Sequence, residues 1–122
     1  MPSAIELQTF IPVILGGNLG AYSTARSFYE AYSVTSLVLC TLLTGPIDHS
    51  AFIEPIVEPK MMQPEALLTL LKNIDKRYPT IKKILLASTD NSVELLITHK
   101  SHFPKNWIIP YVDKEVFYRA TN

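Results

Sequence analysis

Five short apolar runs, separated by stretches with helical spacing, constrain this chain more than any other feature of its sequence. The first, Ile11 to Leu15, is continuous rather than alternating, as in a strand covered on both faces. Pro12 fits such a strand only near its start. The others are Ser36 to Thr41, Ile53 to Glu58, Lys82 to Ser88, and Trp107 to Ile109. Pro55 marks the Ile53–Glu58 run as an edge strand or a brief extended stretch. Residues 21 to 32 read as a helix whose stripe is Ala21, Ala25, Phe28, Tyr29 and Tyr32. A second helix opens at Pro64, carries the stripe Leu67, Leu71, Ile74 and Tyr78, and closes at Pro79. A third is expected over about 92 to 100, capped by Thr89-Asp90-Asn91, with Asn91 and Glu94 as a capping box and Val93, Leu96 and Ile97 facing the core. Asp113 can cap a last segment, Lys114 to Ala120. Residues 44 to 52 read as a polar loop.

Strand and helix alternate to the end of the chain, which predicts an α/β fold: a three-layer, Rossmann-like parallel sheet of four to five strands with helices on both faces. A length of 122 residues with 48% hydrophobic content suits one domain, residues 1–122, with one buried core. Ligands of such sheets lie at the carboxyl ends of the strands, near the point where strand order reverses. The loops at residues 16 to 20 and 88 to 91 fall at strand ends and are the places to look for function.

Composition removes several classes. Eleven Lys+Arg balance eleven Asp+Glu, so no net positive field draws the chain to nucleic acid or an acidic membrane. No apolar run approaches the ~18 residues of a membrane span, and the first ten residues lack a secretory signal's basic start and apolar core. A single cysteine, Cys40, excludes an internal disulfide. These features lead us to expect a cytoplasmic protein.

Gly16-Gly17-Asn18-Leu19-Gly20 follows a strand and precedes a helix, where glycine lets backbone approach a ligand and helix N–H groups face an anion. The dinucleotide fingerprint G-x-G-x-x-G would need Gly at position 18, where Asn18 stands, and the second strand ends in Cys40-Thr41 without a ribose-binding acid. No Lys-Ser/Thr follows at the spacing of a phosphate-binding P-loop. The glycines have two readings, a ligand-facing loop or a tight strand-to-helix turn. Arg26 has two as well: a solvated partner of Glu30 at i, i+4, or a fork for a carboxylate. Asp90 and Asn91 are explained by capping alone, and no second carboxylate pairs with Asp90 for acid–base work. His99 and His102 lack further ligands at metal spacing, and the adjacent His49-Ser50 lacks an orienting acid. A phosphoacceptor domain would need an acidic cluster after the first strand, where Leu15-Gly16-Gly17 stands. The residues alone show no complete catalytic set.

The stretch from Phe10 to Tyr32, with Ala25-Arg26-Ser27-Phe28 followed by Glu30 and Tyr32, resembles the opening of ATP-grasp carboxylate–amine ligases of the D-aspartate ligase type. Gly45-Pro46 with His49-Ser50, the segment Leu86 to Ile97, and Ile108 to Asp113 are similar in kind, so the resemblance covers about residues 8 to 118. It implies a preATP-grasp domain and an activity in which ATP activates a carboxylate and an amine attacks the acyl phosphate, the amine being a lysine side chain of a peptidoglycan precursor. It implies too that the chain is the N-terminal, substrate-side fragment of a longer ligase and inactive alone. ATP and magnesium would be held by central and C-terminal domains of the parent, and no cofactor by this fragment. Carried onto this sequence, the substrate wall is Gly16, Gly17, Asn18, Tyr22, Arg26, Asp90 and Asn91, with no catalytic residue and no metal ligand. Thr89 and Ser92 depart from the Gly and the aromatic expected on either side of Asp90-Asn91. The partners implied are the following ATP-grasp domains and a small carboxylate or amine, with a homodimer as an option. The alternatives are a stand-alone Rossmann-type module for a small anion or nucleotide, and a purely structural or oligomerisation domain.

Overall fold

The computed structural model describes residues 5–48 and 50–110. Five parallel strands run in the order β3-β2-β1-β4-β5. They are β1 Phe10–Leu15, β2 Ser36–Cys40, β3 Ile53–Val57, β4 Lys82–Ala87 and β5 Trp107–Ile108. Between them lie α1 Leu19–Tyr32, α2 Gly45–Asp48, α3 Pro64–Arg77 and α4 Asp90–His99. The expected Rossmann-like parallel sheet is therefore present. The expected cap at Asp113, the segment after it and His49 lie outside the described residues.

The prolines sit where the ladder tolerates them. Pro12 pairs with Ile84 of β4, but pairing of β1 with β2 starts only at Val13. Pro55 is on the edge strand β3, opposite Val38, so no further strand requires its missing N–H. β2 is buried along its whole length and β1 from Ile11 onwards, as a doubly covered central pair must be.

Two apolar clusters fill the two faces. Ile11, Val13, Leu15, Leu37, Leu39 and Leu85 pack with Leu67, Leu71 and Ile74 of α3 and Leu96 of α4. Ile14, Val38 and Ile53 pack with Ala21 and Ala25 of α1 and Ile47 of α2. Connections running towards the β3 edge thus lie on one face and those running towards β5 on the other, as uniform crossover handedness produces.

Three local expectations need correction. Residues 44 to 52 are not all loop, because Gly45–Asp48 form a helical turn that buries Ile47. Tyr29 and Tyr32 do not join the core of α1: they are 48% and 62% exposed. Ala21 and Ala25 let the helix lie close on the sheet, and the large rings splay to its flanks. The third helix starts at Asp90, with Thr89 as its cap instead of Asn91.

One buried charge ties the layers together. Lys83, at the start of β4, is fully buried. Its ammonium donates to the Tyr78 carbonyl and lies 2.8 Å from Asp75 Oδ1 on α3. The same oxygen accepts from Trp107 Nε1 on β5 at 2.8 Å.

Candidate functional site

Chain order reverses between β1 and β4: from β1 the chain builds outward through β2 and β3, then returns to the other side of β1. The two strands are paired through Leu15↔Ala87, so the turns that leave them open side by side. Here lies the sheet's topological switch point, the crevice where ligands of open α/β sheets bind.

Each turn ends in a capped helix start. Asn18 is extended and its Oδ1 accepts from Ala21 N at 2.9 Å, capping α1. Thr89 caps α4 by accepting from Ser92 N at 3.2 Å, while Ser92 Oγ accepts from Thr89 N at 3.1 Å. This reciprocal box uses Ser in the place usually held by Glu, and it explains why Ser92 is buried. The two turns also touch. Ser88 Oγ donates to the Leu15 carbonyl at 2.7 Å, and Asn18 Nδ2 reaches the Ser88 carbonyl at 3.5 Å.

The glycines are accounted for by this packing. Gly16 has φ +121°, and a Cβ there would lie 2.0 Å from Ser88 Oγ. A Cβ at Gly17 would lie 2.9 Å from Cys40 Cβ. The space left by the missing side chains is filled from within. The crevice therefore does not fit the pyrophosphate of a nucleotide: its cradle is occupied by Ser88, residues 16–20 and 88–91 contain no lysine or arginine, and Asp90 opens α4 with a negative charge. The residues at this crevice offer no built site for ATP or magnesium.

Of the residues singled out in the sequence, Gly16, Gly17, Asn18, Asp90 and Asn91 are brought to the switch point. Asn18, Asp90 and Asn91 are exposed there. Tyr22 and Arg26 are not. Gly20 faces Ser88, and Tyr22 lies two residues on, about 200° around the helix. Its ring packs on Phe52, centroids 5.5 Å apart. Arg26 is seven residues, about 10 Å, down a helix that runs away from the strand tips. It pairs with Glu30 at 2.8 Å, and that hydrogen bond raises its already high pKa. Sequence reasoning placed Thr89 among the capping residues of the third helix but missed Ser88 as the residue that joins the two turns and Ser92 as the partner of Thr89. The signal was present: Thr89 and Ser92 have capping-box spacing.

Cys40 is buried at the end of β2, and burial pushes its thiol above the ordinary value, the opposite of an activated nucleophile. Among the described residues no cluster of three His, Cys, Asp or Glu side chains is placed to hold a metal ion. No helix among them is long and apolar enough to cross a membrane.

This chain is 32% identical, over 125 aligned residues and its own full length, to D-aspartate ligase of Enterococcus faecium (strain Aus0004). The chain resembles D-aspartate ligase. The matched region takes in both turns of the switch point, since it covers the whole chain. The chain spans 30% of the length of that D-aspartate ligase. No family model and no solved structure matches it.

Proposed function

We propose that this domain forms the substrate-side wall of an ATP-dependent carboxylate–amine ligase, acting with ATP-binding domains that it does not itself supply. The observation that carries the reading is the switch point, where Asn18 at the start of α1 and Asp90 at the start of α4 open on one crevice. The likeness to D-aspartate ligase along the whole chain supports it. The two helix starts differ in sign. α1 has no acidic residue in its first turn, whereas α4 begins with Asp90. A substrate carboxylate is favoured at the positive end of α1, and an ammonium group beside Asp90. A small acidic amino acid presents both groups, and D-aspartate is the first to test. On this reading a lysine side chain of a peptidoglycan precursor is the attacking amine. ATP's role is to activate the carboxylate, and the groups that bind it lie in other domains.

The test is phosphate release from ATP by the full-length protein that carries this domain, with D-aspartate, L-aspartate, D-glutamate or no amino acid. Release dependent on one acidic amino acid is expected, with Asp90→Asn raising its KM. Absence of any amino-acid-dependent release overturns the reading. Tight binding of ATP to the 122-residue chain alone, measured by calorimetry, would favour the nucleotide-module alternative, which the filled turn at Gly16 opposes.

A further inference from the structure

We infer that Thr44 is a positioning residue for the crevice: its hydroxyl locks the Gly17–Asn18 peptide with the carbonyl turned to β2 and the N–H turned to the β4 side. The inference rests on the substrate-wall reading above and names the residue that sets the polarity of one side of that wall.

Thr44 stands just ahead of α2, and its carbonyl accepts from Asp48 N at 2.8 Å. A threonine in that place ordinarily turns its hydroxyl to the N–H groups of its own helix. Here the hydroxyl donates to the Gly17 carbonyl at 2.8 Å, across 27 residues. The bond ties the chain leaving β2 to the turn after β1. Ser88 ties the tip of β4 to the same turn from the other side, through the Leu15 carbonyl.

A trans peptide is planar, and its N–H lies antiparallel to its C=O. With the Gly17 oxygen drawn towards Thr44, the Asn18 N–H is turned away from β2. On the proposed reading it joins the first N–H groups of α1 in favouring the substrate carboxylate. The same peptide reversed would present an oxygen there and repel that group. No other peptide of the turn is so free to reverse. Gly17 has no Cβ. Asn18, at φ −102°, is of a type that tolerates the positive φ a half-turn of the peptide would give it. A larger residue at 17 cannot remove this freedom, because a Cβ would lie 2.9 Å from Cys40 Cβ and 3.1 Å from the Leu42 carbonyl oxygen. The restraint has to come from outside the turn, and the Thr44 hydroxyl supplies it.

Thr44→Val keeps the shape of the side chain and removes the donor, whereas Thr44→Ser keeps the donor. Relaxation dispersion on the isotope-labelled 122-residue chain reads the peptide directly. Thr44→Val should bring microsecond-to-millisecond exchange to the Asn18 amide, absent from wild type and from Thr44→Ser. In the full-length protein that carries this domain, Thr44→Val should raise the KM for the acidic amino acid about five- to tenfold, the worth of one hydrogen bond, with kcat and the Thr44→Ser enzyme within about twofold of wild type. A residue that only supported the fold would lower the melting temperature without moving KM. An Asn18 amide unchanged in Thr44→Val overturns the lock. A KM unchanged by Thr44→Val, or raised as much by Thr44→Ser, overturns its part in the site. If wild type shows no release dependent on an amino acid, it is the ligase reading that fails, and dispersion at Asn18 alone decides the lock.

Discussion

Removing Asp75 should damage this protein more than removing Lys83, although the two form one ion pair. Lys83 is fully buried, whereas the Asp75 side chain is 26% exposed. In Asp75→Ala the ammonium keeps only the Tyr78 carbonyl, and Trp107 Nε1 loses its acceptor. An uncompensated buried charge typically costs 3–5 kcal/mol, and partial access of water to this site reduces the expectation to about 2–4 kcal/mol. Lys83→Met keeps the length of the side chain and removes the charge that needed a partner. Asp75 retains Trp107 and water, the Tyr78 carbonyl loses one donor, and the loss should be about 1 kcal/mol. Asp75→Asn, which can still accept from Trp107, should fall between. A chain of 122 residues has roughly 6–18 kcal/mol of stability in total, so Asp75→Ala should still fold but melt about 8–16 °C lower. Trp107 is the single tryptophan, and its fluorescence in a urea titration reports on the network itself. If Lys83→Met is as destabilising as Asp75→Ala, the buried ammonium is not what the network serves and the reasoning fails.

Gly16→Ala should lose about 2–4 kcal/mol, since it meets both a φ of +121° and Ser88 Oγ at 2.0 Å; in thermal melts Ser88→Ala should recover part of that loss, and full recovery would mean that backbone strain contributes nothing. Thr89→Ala removes the α4 cap and should cost about 0.5–2 kcal/mol, whereas Asn91→Ala should be close to neutral; the reverse order would restore Asn91 as the cap. Burial raises the Cys40 pKa, so the folded state holds the thiol proton more tightly than the unfolded one. Its contribution is complete below the unfolded thiol value and is lost as pH rises through that value towards the folded one. Wild type should therefore lose stability relative to Cys40→Ala as pH rises above the ordinary thiol value of about 8.5, and parallel stability curves for the two would refute the assignment. Native Cys40 should also resist alkylation at neutral pH until urea unfolds the chain.

Those parts of the fold that depend on repeating pattern were legible in the sequence. The unbroken apolar runs of β1 and β2 told of burial on both faces, and the stripe Leu67, Leu71, Ile74, Tyr78 of α3 is buried as its spacing required. What escaped was set by tertiary context. Tyr29 and Tyr32 fit the period of α1, but a helix seated on two alanines cannot also bury rings at its margins. Asn91-x-x-Glu94 and Thr89-x-x-Ser92 both resemble a capping box, and only the point where β4 releases the chain decides between them. Nothing local marks Lys83, at the start of a strand, as buried; its burial follows from Asp75 on α3 and Trp107 on β5, which the packing of the layers brings to it. The strand tips at residues 16 to 20 and 88 to 91 were found from alternation alone. That they adjoin follows from the strand order, which no local pattern reveals.

The filled turn changes what the glycines mean. A Rossmann-like domain that binds a dinucleotide leaves its first turn empty so that phosphate can reach the start of the helix. Here the corresponding space holds Ser88, which locks the β4 tip to the carbonyl of Leu15. Locking fixes the two helix starts relative to each other and leaves their outer residues, Asn18 on one side and Asp90 on the other, exposed. A nucleotide gains nothing from that arrangement, because its phosphates would meet a carboxylate at α4. A small zwitterion gains at both ends, since the positive start of α1 and the acidic start of α4 attract opposite groups. Rigidity matters more to such a ligand than to a nucleotide, for it has few atoms with which to compensate a misplaced contact. On the proposed reading, the serine that fills the space a phosphate would need and the serine that fixes the separation of the two helix starts are one residue, Ser88.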